Sequence, residues 1–383
     1  MASPFFLNIS THSLTPDRPN LQPFYYFHPA AVPPQWRPVS SSAGINPNHH
    51  HQQEHPQTQP NPTLHLLTWN IDFQVPYPVQ RMTAALHHLH TILTSHNNTT
   101  TTSATVILFQ EMTPSTLDVI QSTPWIRDNF YITDLSPARW RMSSYGTTTL
   151  IDRRLDIKRV FRVPYAVSYM RRDGLFVDIG LEWSSTTSTS ATGGGGGEER
   201  ILRLCNTHLE SLASGTPRRP VQMHLASRFM HGLDESGLPS PHAAILAGDL
   251  NAFAPEDLAL PESCGLRDAF LVLGGVEETE ESYTWGKQNT GWLVGRFPDA
   301  RLDKVLFCGG AEVEKLGRIG VGVRVRVGGD GDAESEGGVG SGGEFEDNEE
   351  EEEEEEDVWV TDHYGLEAEF VITTVTPDAV SAT

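Results

Sequence analysis

Cysteine is scarce in this chain: Cys205, Cys264 and Cys308 are the only three in 383 residues, and they lie far apart. An odd, widely spaced set implies no disulfide framework and points to a reducing compartment. Long apolar runs are missing as well. None approaches 18 residues, so no membrane-spanning helix is expected. The opening stretch MASPFFLNIS has no basic region ahead of a sustained apolar core, so a secretory signal is not expected. Basic residues are in the minority, 27 Lys and Arg against 50 Asp and Glu, for a formal net charge of −23. That balance excludes a globally basic surface for nucleic acid. Much of it is local, since Glu344 to Asp357 holds 12 acidic residues, and removing these 12 from −23 leaves −11. A locally positive pocket assisted by a divalent metal stays compatible with this charge.

Hydrophobic residues make up only 38% of the chain, and the shortfall sits in low-complexity segments. Residues 1–62 are rich in Pro, Ser, His, Asn and Gln without a sustained period, and read as a disordered arm. Its cluster His49-His50-His51 reads as a solvated tract. A Ser/Thr/Gly stretch at about 184–199 and a Gly- and acid-rich stretch at about 328–357 read as flexible insertions, and 374–383 as a disordered tail.

The folded part is organised around Ala247-Gly248-Asp249-Leu250-Asn251, which follows the apolar run Ala243 to Leu246. A buried strand ending on Gly-Asp-x-Asn delivers a carboxylate and an amide at its C-terminal edge, where layered α/β folds build their sites. On an extended segment two residues apart, Asp249 and Asn251 would point the same way. One could take a proton or bind metal while the other fixes a water or an oxyanion. A Gly-Asp turn with an Asx cap is the plainer reading of this motif alone.

Other strands end in the same fashion. Leu64 to Asn70, Thr105 to Phe109 and Arg200 to Asn206 are apolar runs, closing on Asn70, on Gln110-Glu111 and on Asn206-Thr207-His208. Tyr145 to Ile151 and Asp156 to Pro164 read as strands turning at Asp152-Arg153-Arg154, and Gly174 to Trp183 and Leu366 to Ile372 as two more. Asp303 opens another strand, and Asp362-His363 precedes the last. Val79 to Thr94 and Pro217 to Leu233 have helical spacing, and Pro114 to Ile120 can start a helix.

Polar residues at that many strand ends, in this order, resemble the endonuclease/exonuclease/phosphatase superfamily, the deoxyribonuclease-I-like fold, over roughly residues 63–373. Within it, Thr68-Trp69-Asn70-Ile71-Asp72, Gln110-Glu111, His208-Leu209-Glu210-Ser211, Thr284-Trp285 and Asp362-His363-Tyr364-Gly365-Leu366 are most similar to the 5′-tyrosyl-DNA phosphodiesterases. Phe73 departs from that branch, which continues the first motif with Gly, and Gly248-Asp249-Leu250-Asn251 is equally at home in abasic endonucleases.

The resemblance implies a four-layer α/β sandwich, two mixed sheets face to face with helices outside, and a catalytic domain at 63–373. It also implies metal-dependent phosphodiester hydrolysis, which needs an in-line water, a neutralised phosphate and help for the leaving oxygen. Glu111 is then the principal ligand of Mg²⁺ (or Mn²⁺ in its place), with Asn70 and Asp362 in support. Asp249 handles the attacking water, with Asn251 beside it. His208 and His363 donate to phosphate oxygens, and Asp303 fixes the second histidine. Tyr145, Ser211 and Trp285 are candidate substrate contacts.

The expected substrate is a 5′ DNA end carrying phosphotyrosine, as in repair of topoisomerase adducts. The alternatives are an abasic endonuclease, a deadenylase, a lipid or small-molecule phosphodiesterase, or a silent fold acting through its acidic tract. That tract, 344–357, would suit a basic protein partner such as a histone. A repair role implies the nucleus. With no strong basic localisation cluster present, the expectation is nuclear or cytoplasmic.

Overall fold

The computed structural model describes residues 14–39, 62–96, 103–181, 200–328 and 355–373. Alternation along one strand builds two faces at once. In β4 (Thr63–Asn70), Leu64 and Leu66 enter one apolar cluster, while Leu67 and Trp69 enter another on the opposite side. Its parallel neighbour β5 (Ala104–Met112) repeats this with Val106 and Leu108 against Ile107 and Phe109. Facing Leu66 and Leu108 across the first cluster are Leu204 of β10 (Ile201–His208) and Ile245 of β11 (Ala243–Asp249). That shared cluster is the seam between two sheets.

Among the described residues, one sheet runs β1 (Asn20–Gln22), β8 (Ile157–Pro164), β9 (Asp173–Gly180), β10, β11, β13 (Asp303–Gly309), β12 (Arg267–Asp268). The other runs β14 (Ala311–Ile319), β17 (Gly365–Ile372), β4, β5, β7 (Gly146–Asp152), β6 (Phe130–Ile132), β2 (Tyr25–His28), β3 (Gln35–Pro38). Each is mixed: β10–β11 and β4–β5 are parallel and their neighbours antiparallel. Helices α1 (Pro78–His96), α2 (Pro114–Ser122) and α3 (Pro124–Asn129) cover the outer face of the second sheet through Met82, Leu89, Leu117 and Ile126. Helix α4 (Arg219–Met230) covers the outer face of the first through Met223 and Phe229. The expected four-layer α/β sandwich is the fold.

Four details differ from the sequence reading. The arm expected to be disordered at 1–62 carries β1, β2 and β3 where it is described, and these extend one edge of each sheet. Phe24 and Tyr26 pack on the inter-sheet cluster, Tyr25 and Trp36 on the outer one, so aromatic burial holds strands too short to show a period. Next, β7 and β8 are not partners. They lie in opposite sheets, so Asp152-Arg153-Arg154 turns between layers. Thirdly, Glu356 and Asp357, expected to be mobile, form β16 (Glu356–Trp359), paired antiparallel with β15 (Arg324–Val327). Lastly, β14 is an addition to the sequence reading: its charged Glu312, Glu314 and Lys315, with a register shift between Val313 and Lys315, mask an edge strand paired with β17. The insertion at 184–199, the rest of the acidic insertion from 329 to 354, His49-His50-His51 and the tail 374–383 lie outside the described residues.

Candidate active site

The rows that build the inter-sheet seam turn polar at one end. Leu64 and Leu66 give way to Thr68 and Asn70, Leu108 to Gln110, Leu204 to Asn206 and His208, Ala247 to Asp249. All six polar side chains are buried, so their hydrogen bonds must be made inside the protein. Two pairs of these side chains bond to each other across the seam: Gln110 Nε2 donates to Asn206 Oδ1 at 2.9 Å, and Asn70 Nδ2 to Asp249 Oδ2 at 3.0 Å. Parallel pairing sets Asn70 beside Gln110 and His208 beside Asp249, so one end of the sandwich collects them. Asn206 also donates to the carbonyls of Phe109 and Thr148, which makes it a buried tie between sheets below the site.

Asp249 is the hub. Besides Asn70 it meets His208 Nε2 at 3.3 Å and His363 Nε2 at 3.9 Å, all at Oδ2, while Oδ1 accepts the Asn251 amide at 2.9 Å. Asn251 therefore does not share an extended segment with Asp249. Its φ of +50° is left-handed, and an Asx turn brings it round so that its Nδ2 donates to the Leu209 carbonyl at 3.1 Å. Gly248 is obligatory just before: at φ +142° a Cβ there would lie 1.9 Å from the Thr207 carbonyl oxygen of the adjacent strand. Burial works against the Asp249 charge, yet His208 and His363 outweigh it and hold the carboxyl well below its usual range.

The two histidines are wired differently. His363 Nδ1 faces Asp303 Oδ2 at 2.8 Å, and its Nε2 is 3.8 Å from Asp362 Oδ1. Burial would discharge it, but Asp303 and then Asp362 overcome that and raise its pKa well above the ordinary value. His208 meets Arg172 Nη1 at 2.8 Å on Nδ1, and burial together with that cation lowers its pKa. Asp303 stands directly opposite Asp249 in the β11–β13 register, and the Trp69 Nε1–H donates to the His363 carbonyl at 3.1 Å. Thr361 Oγ1 donates to the Asn70 carbonyl at 2.8 Å and accepts the His363 amide, which ties the histidine turn to β4.

Carboxylates crowd the other flank. A bulge between Phe109 and Met112 turns Glu111 to φ +57°, where its Oε2 accepts the Phe73 amide at 3.0 Å and its Oε1 lies 3.7 Å from His208. Asp72, at φ +53°, is pushed up to about 7 by burial and by Asp362 and Glu111, against which Arg81 works in the other direction. Arg81, itself buried, donates to the carbonyls of Ile71, Asp72, Val75 and Val360.

Among the described residues no group of three or more His, Cys, Asp or Glu could hold a metal ion. The donor set fits a hard divalent cation bound through one or two carboxylates, with water and substrate phosphate completing the shell. The mutual repulsion felt at Asp72 is what such a cation would relieve. Glu111 and Asn70 remain the first candidates to hold it, with Asp72 and Asp362 beside them; Asn70 Oδ1 accepts the Asp72 amide at 3.0 Å.

The substrate-contact candidates separate. Tyr145, half-buried, stacks on Phe73 with ring centroids 4.2 Å apart and lines a cavity with Arg141, Met170, Arg172 and His208. Ser211 is partly exposed in the loop after Glu210. Trp285 presents no open face for stacking a base. Its ring is 8% exposed between Phe253 and Phe297, and its Nε1 donates to Asp362 Oδ2 at 2.7 Å, so it holds a carboxylate. Trp285→Phe, which keeps a ring and loses the donor, is expected to lower kcat about 10-fold, the mild end for partners of site ligands. Steady-state kinetics beside a melting curve would check it; an unchanged kcat would remove Trp285 from the site.

Asp72, Arg81, Arg172 and Thr361 escaped the sequence reading. A motif neighbour marked Asp72 and Thr361; nothing local marked the two arginines.

A model of the Endonuclease/Exonuclease/phosphatase family matches residues 67–363. The chain belongs to that family. Its members are hydrolases of phosphate esters and phosphodiesters and generally use divalent metal ions, which agrees with the carboxylates and histidines gathered here. No curated protein matches the chain. Among solved structures, D. rerio TDP2 complexed with single-strand DNA product is similar at a TM-score of 0.51 and 16% identity, over 80% of this chain and 98% of that one. Truncated TDP2 of Caenorhabditis elegans gives 0.51 and 18%, over 81% and 98%. A family protein from Bacteroides thetaiotaomicron gives 0.50 and 13%, over 82% and 100%. At such identities the likeness is one of fold. No described helix is long and apolar enough to cross a membrane.

Proposed function

We propose that this family hydrolase is a Mg²⁺-dependent phosphodiesterase acting on 5′-phosphotyrosyl DNA ends, cutting between tyrosine and phosphate to leave a 5′-phosphate. The observation that carries the hydrolytic part is the meeting of Asn70, His208 and His363 on one oxygen of Asp249. The substrate choice is supported by the motifs quoted for the tyrosyl-DNA branch. It is also supported by the arginine- and tyrosine-lined cavity that opens beside His208.

The chain's residues divide the work by charge. Asp249, kept ionised by two histidines, orients a water and accepts its proton. Asn251 and Asn70 hold that carboxylate, each through one hydrogen bond. His363, kept protonated between Asp303, Asp362 and Asp249, supplies positive charge to non-bridging oxygens as they gain negative charge. A divalent cation at Glu111 and Asn70, when bound, supplies charge neutralisation at the phosphate and assistance to the leaving oxygen. Strand ends from both sheets fix all these groups before substrate arrives, and that preorganisation is the source of rate.

The test is tyrosine release from a 5′-phosphotyrosyl oligonucleotide with and without Mg²⁺. An abasic duplex, a poly(A) RNA and a generic phosphodiester run alongside. Metal-dependent release of tyrosine, faster than turnover of the other three, is expected. Turnover of one of the others with no tyrosine release would discard the DNA-end substrate and keep the hydrolase.

A further inference from the structure

We propose that Arg172 is a positioning residue that locks His208 as a neutral imidazole with its single proton on Nε2. A guanidinium has five N–H donors and no acceptor. At 2.8 Å from Arg172 Nη1, His208 Nδ1 must therefore be the acceptor, and an accepting ring nitrogen carries no proton. The other side of the ring reaches the same answer independently. His208 Nε2 faces Asp249 Oδ2 at 3.3 Å, a carboxylate oxygen that accepts and cannot donate when ionised. The proton therefore sits on Nε2, pointing into the site.

Burial makes the lock firm. His208 is 3% exposed and Arg172 6%, so each relies on the other for this hydrogen bond. Arg172 is held in turn: its backbone amide donates to Ser168 Oγ at 2.8 Å, and its guanidinium lies 5.3 Å from the Tyr145 ring centroid. Ser168 Oγ donates to Glu210, which also accepts the amides of Tyr169 and Met170 and so fastens the loop that delivers Arg172.

The site thus contains two imidazoles in opposite states. His363 has an acid on Nδ1 and is held as a cation, whereas His208 has a base-free cation on Nδ1 and is held neutral. His208 can give a hydrogen bond to a phosphate oxygen without adding net charge, and it cannot compete with Asp249 for the proton of the attacking water. This catalytic consequence rests on the proposed phosphodiester hydrolysis; the tautomer itself does not.

Two-bond proton–nitrogen NMR spectra of ¹⁵N-histidine-labelled full chain read the tautomer directly, with His208→Gln assigning the signal. The expected wild-type spectrum has a pyridine-like Nδ1 and a pyrrole-like Nε2 at His208. Arg172→Lys, also purely a donor, is expected to keep that pattern. Arg172→Met is expected to lose it and to lower kcat about 10–100-fold on whichever phosphodiester the wild type turns over, the range for partners that orient a functional histidine. A pyrrole-like Nδ1 in the wild type would overturn the assignment, as would an Arg172→Met protein with both spectrum and kcat unchanged. If the wild type hydrolysed no phosphodiester, the functional reading would fail while the spectrum still decided the tautomer.

Discussion

Asp249→Asn is expected to lower kcat by about 10²–10⁴-fold, the contribution of a positioned general base, and to leave the fold in place. The one amide oxygen can go on accepting the Asn251 amide, so the Asx turn survives, while the new NH2 faces Asn70 Nδ2 and that single cross-sheet hydrogen bond is lost. What disappears is the charge. Among the described residues Asp249 is the one carboxylate within 4 Å of both His208 and His363, and both act to keep it ionised. Without that charge the water loses its acceptor, and His363 keeps only Asp303 and Asp362 as counter-ions. KM is expected to move much less than kcat, because the missing interaction strengthens as the water attacks. Circular dichroism and a melting curve matched to wild type would show that the fold is intact. An Asp249→Asn protein retaining a tenth or more of wild-type kcat would remove Asp249 as the base.

Why that site could be read from sequence, and where reading stopped, follows from what local pattern encodes. β4, β5, β10 and β11 are short apolar runs whose alternation serves two clusters, and their polar ends stood out against that background. Parallel pairing of β4 with β5 and of β10 with β11 then brings those ends to one edge. Side-chain direction is set by φ and ψ, which residue type encodes weakly. Asp72, Glu111 and Asn251 all sit at positive φ, so period-two reasoning placed Asn251 by the wrong route and passed over Asp72. Partners far away in sequence were invisible for another reason. Arg172 stands 36 residues from His208, and only the fold of the intervening β9 and β10 brings them together. Trp285 is a candidate substrate contact on aromatic type alone, which does not report burial; the Asp362 partner 77 residues on decides its role. The strands of the arm were missed because three or four residues are too few for any period to emerge.

The largest stability effect is expected at a residue with no part in the chemistry. Arg162 of β8 is 1% exposed and lies between the sheets. Its Nη1 donates to Asp173 and to Thr147 Oγ1, and its Nη2 to Asp134 at 3.0 Å and to the Thr147 carbonyl at 2.7 Å. Thr147 belongs to β7, so the guanidinium joins the two sheets close to the floor of the site. Asp173 completes that floor by accepting Thr207 Oγ1 at its carbonyl. Arg162→Met fills similar space but leaves Asp134 and Asp173 buried near each other without the guanidinium that bonds both, Arg141 being the cation that still acts on Asp173. Breaking a buried ion set in this way costs about 3–5 kcal/mol, far more than replacing the whole set would. The loss should carry a pH signature. Burial already raises the Asp173 carboxyl with Arg162 present, and removing the cation raises it further. A carboxyl whose folded pKa exceeds its unfolded value binds more protons when folded, so stability falls as pH rises through that interval. Urea midpoints for Arg162→Met are therefore expected to lie well below wild type at pH 8 and to recover part of the difference towards pH 5. The triple variant with Asp134→Asn and Asp173→Asn is expected to regain most of it at both pH values. Equal midpoints for wild type and Arg162→Met at pH 8 would mean that the sheets are held by apolar packing alone and that the buried cation is dispensable.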